Sequence, residues 1–246
     1  MSSEFDASQA AHAYPKGIEH GFWSIARNRT IDSALEEAVR IGVRTSRGRI
    51  LEIGCGPGIV VNALRAEGHD AWGVELGEPT VREAAKPYVT TGMAAQDLDA
   101  AFRASIETIM LLDVIEHIED EVSFLQSILP AFPNCRSLIV TVPARPEVWS
   151  NYDEYYGHFR RYTRETLDAA IMRAGLIPER TRYFFKALYF AAKLINTFGR
   201  KRVVVLNSPR FLLLQRIIAR GFDLENLLAS SLPIPGLSLI CIARRS

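Results

Sequence analysis

Cysteine is scarce in this chain. The three residues, Cys55, Cys135 and Cys241, lie far apart and form no CxxC pair. That excludes a disulfide framework and favours a reducing, cytoplasmic setting. The five histidines are scattered too, without the spacing of a linear metal motif, so no metal site is expected from the sequence. The N-terminal stretch MSSEFDASQAAHAYPKG lacks the apolar core of a secretory signal. Net charge is almost absent, +1 over 246 residues, which argues against nucleic acid as the main partner. Long apolar runs are missing. The longest candidate, residues 182–202, is broken by Lys186 and Lys193 and is too charged to span a membrane. It reads as a buried or lid helix, or as an interfacial helix in peripheral contact with a membrane. No internal repeat or low-complexity tract is visible.

What is present supports a folded α/β protein. Hydrophobic residues make up 48% of the chain, enough for a full core. Charge is uneven: residues 1–123 hold 11 Lys/Arg and 20 Asp/Glu, whereas 124–246 hold 18 and 8. The basic half either meets something anionic or neutralises the acidic half within the fold. Apolar runs at 49–53, 70–76, 88–92, 107–115, 137–143, 176–184 and 236–243 predict strands. Helical spacing predicts helices at 29–42, 57–67, 77–87 and 119–130, and after Thr163, a good N-cap with Gly175 past the helix end. This alternation predicts βαβ units and a mostly parallel sheet with helices on both faces. In such sheets the ligand lies beyond the carboxyl ends of the strands.

The residues there are distinctive. ILEIGCGPGIV, 50–60, places Gly54, Gly56 and Gly58 in GxGxG spacing rather than the GxGxxG of dinucleotide sites. Pro57 has no N–H to offer, so the loop suits close backbone approach by a ligand with little or no phosphate. Glu75 ends the second strand, where a carboxylate accepts from both ribose hydroxyls and repels a 2′-phosphate. The expected ligand is an adenosine-type compound with free hydroxyls.

ILEIGCGPGIVVNAL, WGVEL, the AQDLD of 95–99 and LLDVIEHIED, in that order over about residues 45–145, resemble the motifs of class I S-adenosylmethionine-dependent methyltransferases. The resemblance implies a Rossmann-like seven-stranded α/β sheet and S-adenosyl-L-methionine as cofactor. It implies that Gly54, Gly56 and Gly58 line the methionine moiety, with Glu52 and Cys55 in the same loop. Glu75, with Leu76 beside it, takes the ribose. Asp97 and the Leu98 amide flank the adenine, and Leu112–Asp113 meets the methionine end. FWSIARNRTI (22–31) and VPARPEVWSNYDEYYGHFRRYTRETL (142–167) are similar to a bacterial subgroup acting on small molecules, lipids or glycans. In related families an N-terminal arginine reaches the cofactor carboxylate; Arg29 or Arg27 is placed for this.

Methyl transfer from a sulfonium depends chiefly on holding the acceptor behind the methyl carbon, and a hydroxyl or protonated amine also needs a base. His158, in YYGHFRRYT, is the first candidate base and His117 the second. Trp149, Tyr155, Tyr156 and Tyr162 are expected to wall the acceptor site, and Arg160 and Arg161 to hold an anionic group. The same segment has a structural reading, with the arginines paired to Asp153 or Glu154. We expect one domain over 1–246: an N-terminal helical cap (1–45), a cofactor core (46–145), and an acceptor-side half (146–246) with a helical insertion at 185–235. The expected activity is methylation of a small-molecule or lipid/glycan-like acceptor, first at oxygen. Alternatives are N-methylation of a small amine, a non-catalytic scaffold on the same fold, or a nicotinamide oxidoreductase, which GxGxG and Pro57 disfavour. The oligomeric state is not read from the sequence.

Overall fold

The computed structural model describes residues 12–204, 208–229, 232 and 234–245. The first eleven residues of the expected cap and part of the 185–235 insertion lie outside them. Seven strands form one sheet in the order β3-β2-β1-β4-β5-β7-β6. They are β1 (Arg49–Ile53), β2 (Ala71–Glu75), β3 (Val89–Thr91), β4 (Ile106–Leu112), β5 (Ser137–Pro143), β6 (Leu176–Phe184) and β7 (Ser238–Arg245). The first five pair in parallel, and β7 is antiparallel to both β5 and β6. β1 and β4 are buried at almost every position, as strands covered on both faces must be.

The α-helices among the described residues are α1 (Phe22–Arg40), α2 (Ile59–Ala66), α3 (Ala100–Ala104), α4 (Glu121–Ile128), α5 (Asn151–Tyr155), α6 (Arg164–Arg173), α7 (Lys186–Thr197) and α8 (Leu212–Ala229). One core cluster, around Ile109, Phe132, Leu138 and Ile171, lies under α4 and α6. A second, around Ile31, Leu35, Phe185 and Ile240, lies under α1 and α8. Thr163 caps α6 as expected, its hydroxyl accepting from Thr166 N–H.

Two expected elements differ. The helix expected over 77–87 is a 3₁₀ turn at Glu83–Tyr88, because Pro79 and Pro87 bracket too few residues for an α-helix. The strand expected to reach residue 115 stops at Leu112, because Asp113 turns into the left-handed region at φ 58°. α1 starts seven residues before the predicted helix, bringing Trp23 and Arg27 into it. The strand order reverses between β1 and β4, so the crevice that binds ligands opens past Ile53 and Leu112.

Candidate active site

The glycine loop leaves β1 at this crevice and enters α2 through Gly58. Gly54 and Gly58 have φ near 78°, which L side chains rarely adopt. A Cβ on Gly54 would lie 2.8 Å from Val114 Cγ2, and one on Gly58 2.7 Å from Ala85 Cβ. One on Gly56 would lie 3.2 Å from the Tyr14 hydroxyl. The loop is thus packed on three sides by the turn after β4, the 3₁₀ turn and the N-terminal segment. Glu75 lies within the same loop, accepting from Gly56 N–H at 2.8 Å and Gly77 N–H at 3.0 Å.

Beneath the loop lies a charge cluster of half-buried Arg27 and Asp113 with buried Glu52. Arg27 Nη2 pairs with Asp113 Oδ2 at 2.6 Å, and Thr141 Oγ1 donates to Asp113 Oδ1 at 3.2 Å. Burial opposes the charge of Arg27, but Asp113 and Glu52 together hold its guanidinium above the ordinary range. Glu52 is buried, and burial pushes its carboxyl up to about 8. Glu52 Oε2 and Arg27 Nε meet no hydrogen-bond partner among the described residues. Such orphaned buried groups fit a bound zwitterion, whose ammonium and carboxylate would satisfy them. Of the two arginines named for this end of the crevice, Arg27 is the one that faces it. Arg29 points the other way, donating from Nη1 to Asp223 Oδ2 on α8 at 2.7 Å.

Other expected cofactor residues divide by what they can offer. Cys55 turns its thiol toward Gly73 on β2, so only its backbone faces the loop. The Leu112 side chain belongs to the second core cluster, leaving its backbone at the crevice. Leu76 and Asp97 are exposed, and Leu98 is half-buried at the rim.

The segment after β5 builds the other wall around Asp153. This carboxylate is fully buried and accepts from Ser150 N–H at 2.9 Å, Arg161 Nε at 2.6 Å and His158 Nδ1 at 2.9 Å. Burial opposes its charge, but His158 and Arg161 keep it below the ordinary carboxylate range. An acceptor-only carboxylate requires a hydrogen on His158 Nδ1, so Nε2 is the ring nitrogen turned away from Asp153. Arg161, expected to hold an anion of the acceptor, is instead committed to Asp153 and to the Ala144 carbonyl at 2.9 Å. Arg160 is tied to Glu121 and to the Glu119 carbonyl. Tyr162, 2% exposed, is core rather than an open wall. Tyr156 is also buried, donating from its hydroxyl to the Val204 carbonyl at 2.8 Å. Tyr155 meets His12 Nδ1 at 2.5 Å. Trp149 is half-buried, its carbonyl accepting from Asn196 on α7 at 2.9 Å.

A backbone bond from Phe159 N–H to the Glu116 carbonyl, 2.8 Å, ties this wall to the turn after β4. His117 and His158 consequently meet edge to face, ring centres 4.7 Å apart. Burial and the neighbouring His158 hold His117 down to about 4, so it is neutral at pH 7. Glu116 was not among the expected residues; its carboxylate is buried, and burial followed by the charge of Asp113 holds it well above the ordinary range. Tyr14 was missed as well, and Asp153 was expected only as a partner of the arginines, not of His158. Single acids and tyrosines far apart in sequence carry no periodic signal.

Known proteins agree with this architecture. The family described as methyltransferase domain matches residues 22–179. A ubiquinone biosynthesis O-methyltransferase from Leptothrix cholodnii is 26% identical over 87 residues, covering 32% of this chain and 37% of that protein. The magnesium protoporphyrin IX methyltransferase of Synechocystis PCC 6803, solved with bound SAH, superposes with a TM-score of 0.51 at 14% identity. That alignment covers 100% of this chain and 90% of the other. An S-adenosylmethionine-dependent methyltransferase from Mesorhizobium loti gives 0.51 at 17% identity, covering 87% of this chain and 100% of the other. With the family match over more than half its length, and the glycine loop and Glu75 at the switch point of a seven-stranded sheet, the chain belongs to the class I S-adenosylmethionine-dependent methyltransferases.

Proposed function

We propose that the chain transfers a methyl group from S-adenosylmethionine to oxygen on a small-molecule or lipid-like acceptor. The observation that carries this reading is the pairing of the glycine loop with the orphaned Glu52 and Arg27 beneath it. Bound S-adenosylmethionine supplies an electrophilic methyl group on a cationic sulfonium. Arg27 would take its carboxylate, Glu52 its ammonium and Glu75 its ribose hydroxyls. The backbone of Gly54–Gly58 and Asp113 would fix the methionine end. Positioning of this kind supplies much of the rate for an in-line displacement.

Oxygen is favoured because a hydroxyl must lose a proton, and three groups able to manage one stand together past β4 and β5: Glu116, His117 and His158. The similarity to an O-methyltransferase supports the same choice. An apolar acceptor is supported by α7 and α8, which expose Phe190, Leu194, Leu213 and Leu227 beside several arginines and lysines. Among the described residues no helix is long and apolar enough to cross a membrane. Peripheral contact is the geometry such a surface supports.

The test is calorimetric titration with S-adenosylhomocysteine. Micromolar binding is expected in the wild type. Glu75→Ala and Arg27→Ala should each weaken it by about 10- to 100-fold, roughly the 1.5–3 kcal/mol of a hydrogen bond to a charged group. Arg29→Ala should bind as wild type does. No binding by folded wild-type protein would refute the reading.

A further inference from the structure

We propose that Glu116, His117 and His158 form a binding site for one divalent transition-metal cation at the acceptor end of the crevice. The role assigned to that cation rests on the methyl-transfer reading; its binding does not. One ligand-type atom from each of the three residues lies within 4.8 Å of the other two. Around a cation with bonds of about 2.1 Å, neighbouring ligand atoms stand roughly 3–4 Å apart, so a small inward movement of the three ligand atoms closes the set.

Glu116 is the independent observation that points to a ligand. It is 1% exposed, and both carboxylate oxygens lack a hydrogen-bond partner among the described residues. A buried carboxylate is tolerated when it is paired or bound to a metal. The local positive charges are already taken: Arg27 by Asp113, and Arg161 by Asp153. Glu116 is thus left as a buried carboxyl with no cation of its own beside two imidazoles.

His158 has the second contact that orients a metal-binding histidine. Its Nδ1 is held by the fully buried Asp153, which Arg161 and Ser150 hold in turn. That arrangement aims Nε2 away from Asp153 in the fixed orientation of a carboxylate–histidine–metal unit. His117 contacts the backbone at Tyr156 and Gly157, which seats its ring against that of His158. Two imidazoles and one carboxylate suit Zn²⁺, Mn²⁺, Fe²⁺ or Co²⁺ better than Mg²⁺ or Ca²⁺, which prefer all-oxygen shells.

Three protein ligands leave positions open for an oxygen of the acceptor. A cation there makes the coordinated hydroxyl more acidic, so that it gives its proton to solvent. The oxygen then forms the bond to the methyl carbon. The carbon–sulfur bond breaks with its electron pair returning to sulfur, leaving S-adenosylhomocysteine. An acceptor with two adjacent oxygens, such as a catechol or vicinal diol, would fill two open positions and present one oxygen for methylation.

The experiment is cobalt titration of the full, chelator-stripped protein, followed by visible absorption and by elemental analysis after desalting. We expect one Co²⁺ per chain with ligand-field bands of a nitrogen-containing site, and a thermal unfolding temperature raised by the cation. Glu116→Gln should lose about 100-fold in affinity and show no cation-dependent stabilisation, while binding S-adenosylhomocysteine as the wild type does. His158→Ala should behave alike, which guards against a folding defect peculiar to one variant. Equal cobalt binding by wild type and both variants, or none by any, would overturn the site. Cobalt bound without S-adenosylhomocysteine binding would leave the site standing and remove the methyl-transfer reading instead.

Discussion

Glu52 and Glu75 are both acids at the same end of neighbouring strands, yet their surroundings differ sharply. Glu75 is half-buried and accepts from two loop amides, whereas Glu52 is buried with one oxygen unpartnered. Burial lifts the Glu52 carboxyl from 4.5 to about 8, so between those values the folded chain holds a proton that the unfolded chain has lost. Stability should therefore fall as pH rises through that window, by up to about 1.4 kcal/mol per pH unit. Urea unfolding from pH 5 to 8.5 should show a shallower slope in Glu52→Gln than in the wild type. Glu116 acts in the same direction and remains in both proteins. An unchanged slope would mean that Glu52 is ionised in the fold. The two arginines of α1 show the same dependence on surroundings. Residues two apart on a helix do not share a face, so Arg27 turns to the crevice while Arg29 turns to Asp223.

Among the elements, the strand–loop–helix unit from β1 to α2 was the most legible. Its glycines need left-handed backbone, and at Gly54 and Gly58 the structure packs neighbours closely enough to forbid a Cβ. Gly58→Ala combines φ 78° with a contact to Ala85. It should destabilise the fold by more than about 1 kcal/mol and weaken S-adenosylhomocysteine binding together with stability. Gly175→Ala has an equally positive φ and open space around it, so it should cost stability alone. Thermal melts read beside the calorimetry separate the two. The 150s segment was less legible. Its arginines, tyrosines and histidine suit an acceptor site by type, but several are structural in fact: Arg161 holds Asp153, and Tyr162 fills the core. Composition states which groups are available, and only packing decides which of them face a ligand.

Over the whole molecule, the basic second half and the apolar faces of α7 and α8 coincide. Phe198, Phe211 and Leu213 are each at least 70% exposed, and Arg200, Lys201, Arg210 and Arg216 lie nearby in the chain. A surface of this kind binds anionic lipid through apolar insertion and charge attraction together. Vesicles containing phosphatidylglycerol should co-sediment the protein, and binding should weaken as salt rises. The double variant Leu213→Asp with Leu227→Asp should abolish co-sedimentation and leave S-adenosylhomocysteine binding intact. Equal sedimentation of the variant would assign the apolar faces another role.

The sequence by itself determined the order of the seven strands, the glycine loop, the acid that ends the second strand and, through the family resemblance, the cofactor class. These features are local: each rests on a few consecutive residues whose periodicity or backbone freedom can be read directly. Tertiary structure decided the pairing of Arg27 with Asp113, the burial of Glu52 and Glu116, and the meeting of His117 with His158 across 41 positions. Those outcomes depend on which loops converge past β4 and β5 and on the charge left unpaired when water is excluded. Neither is encoded in the spacing of neighbours along the chain.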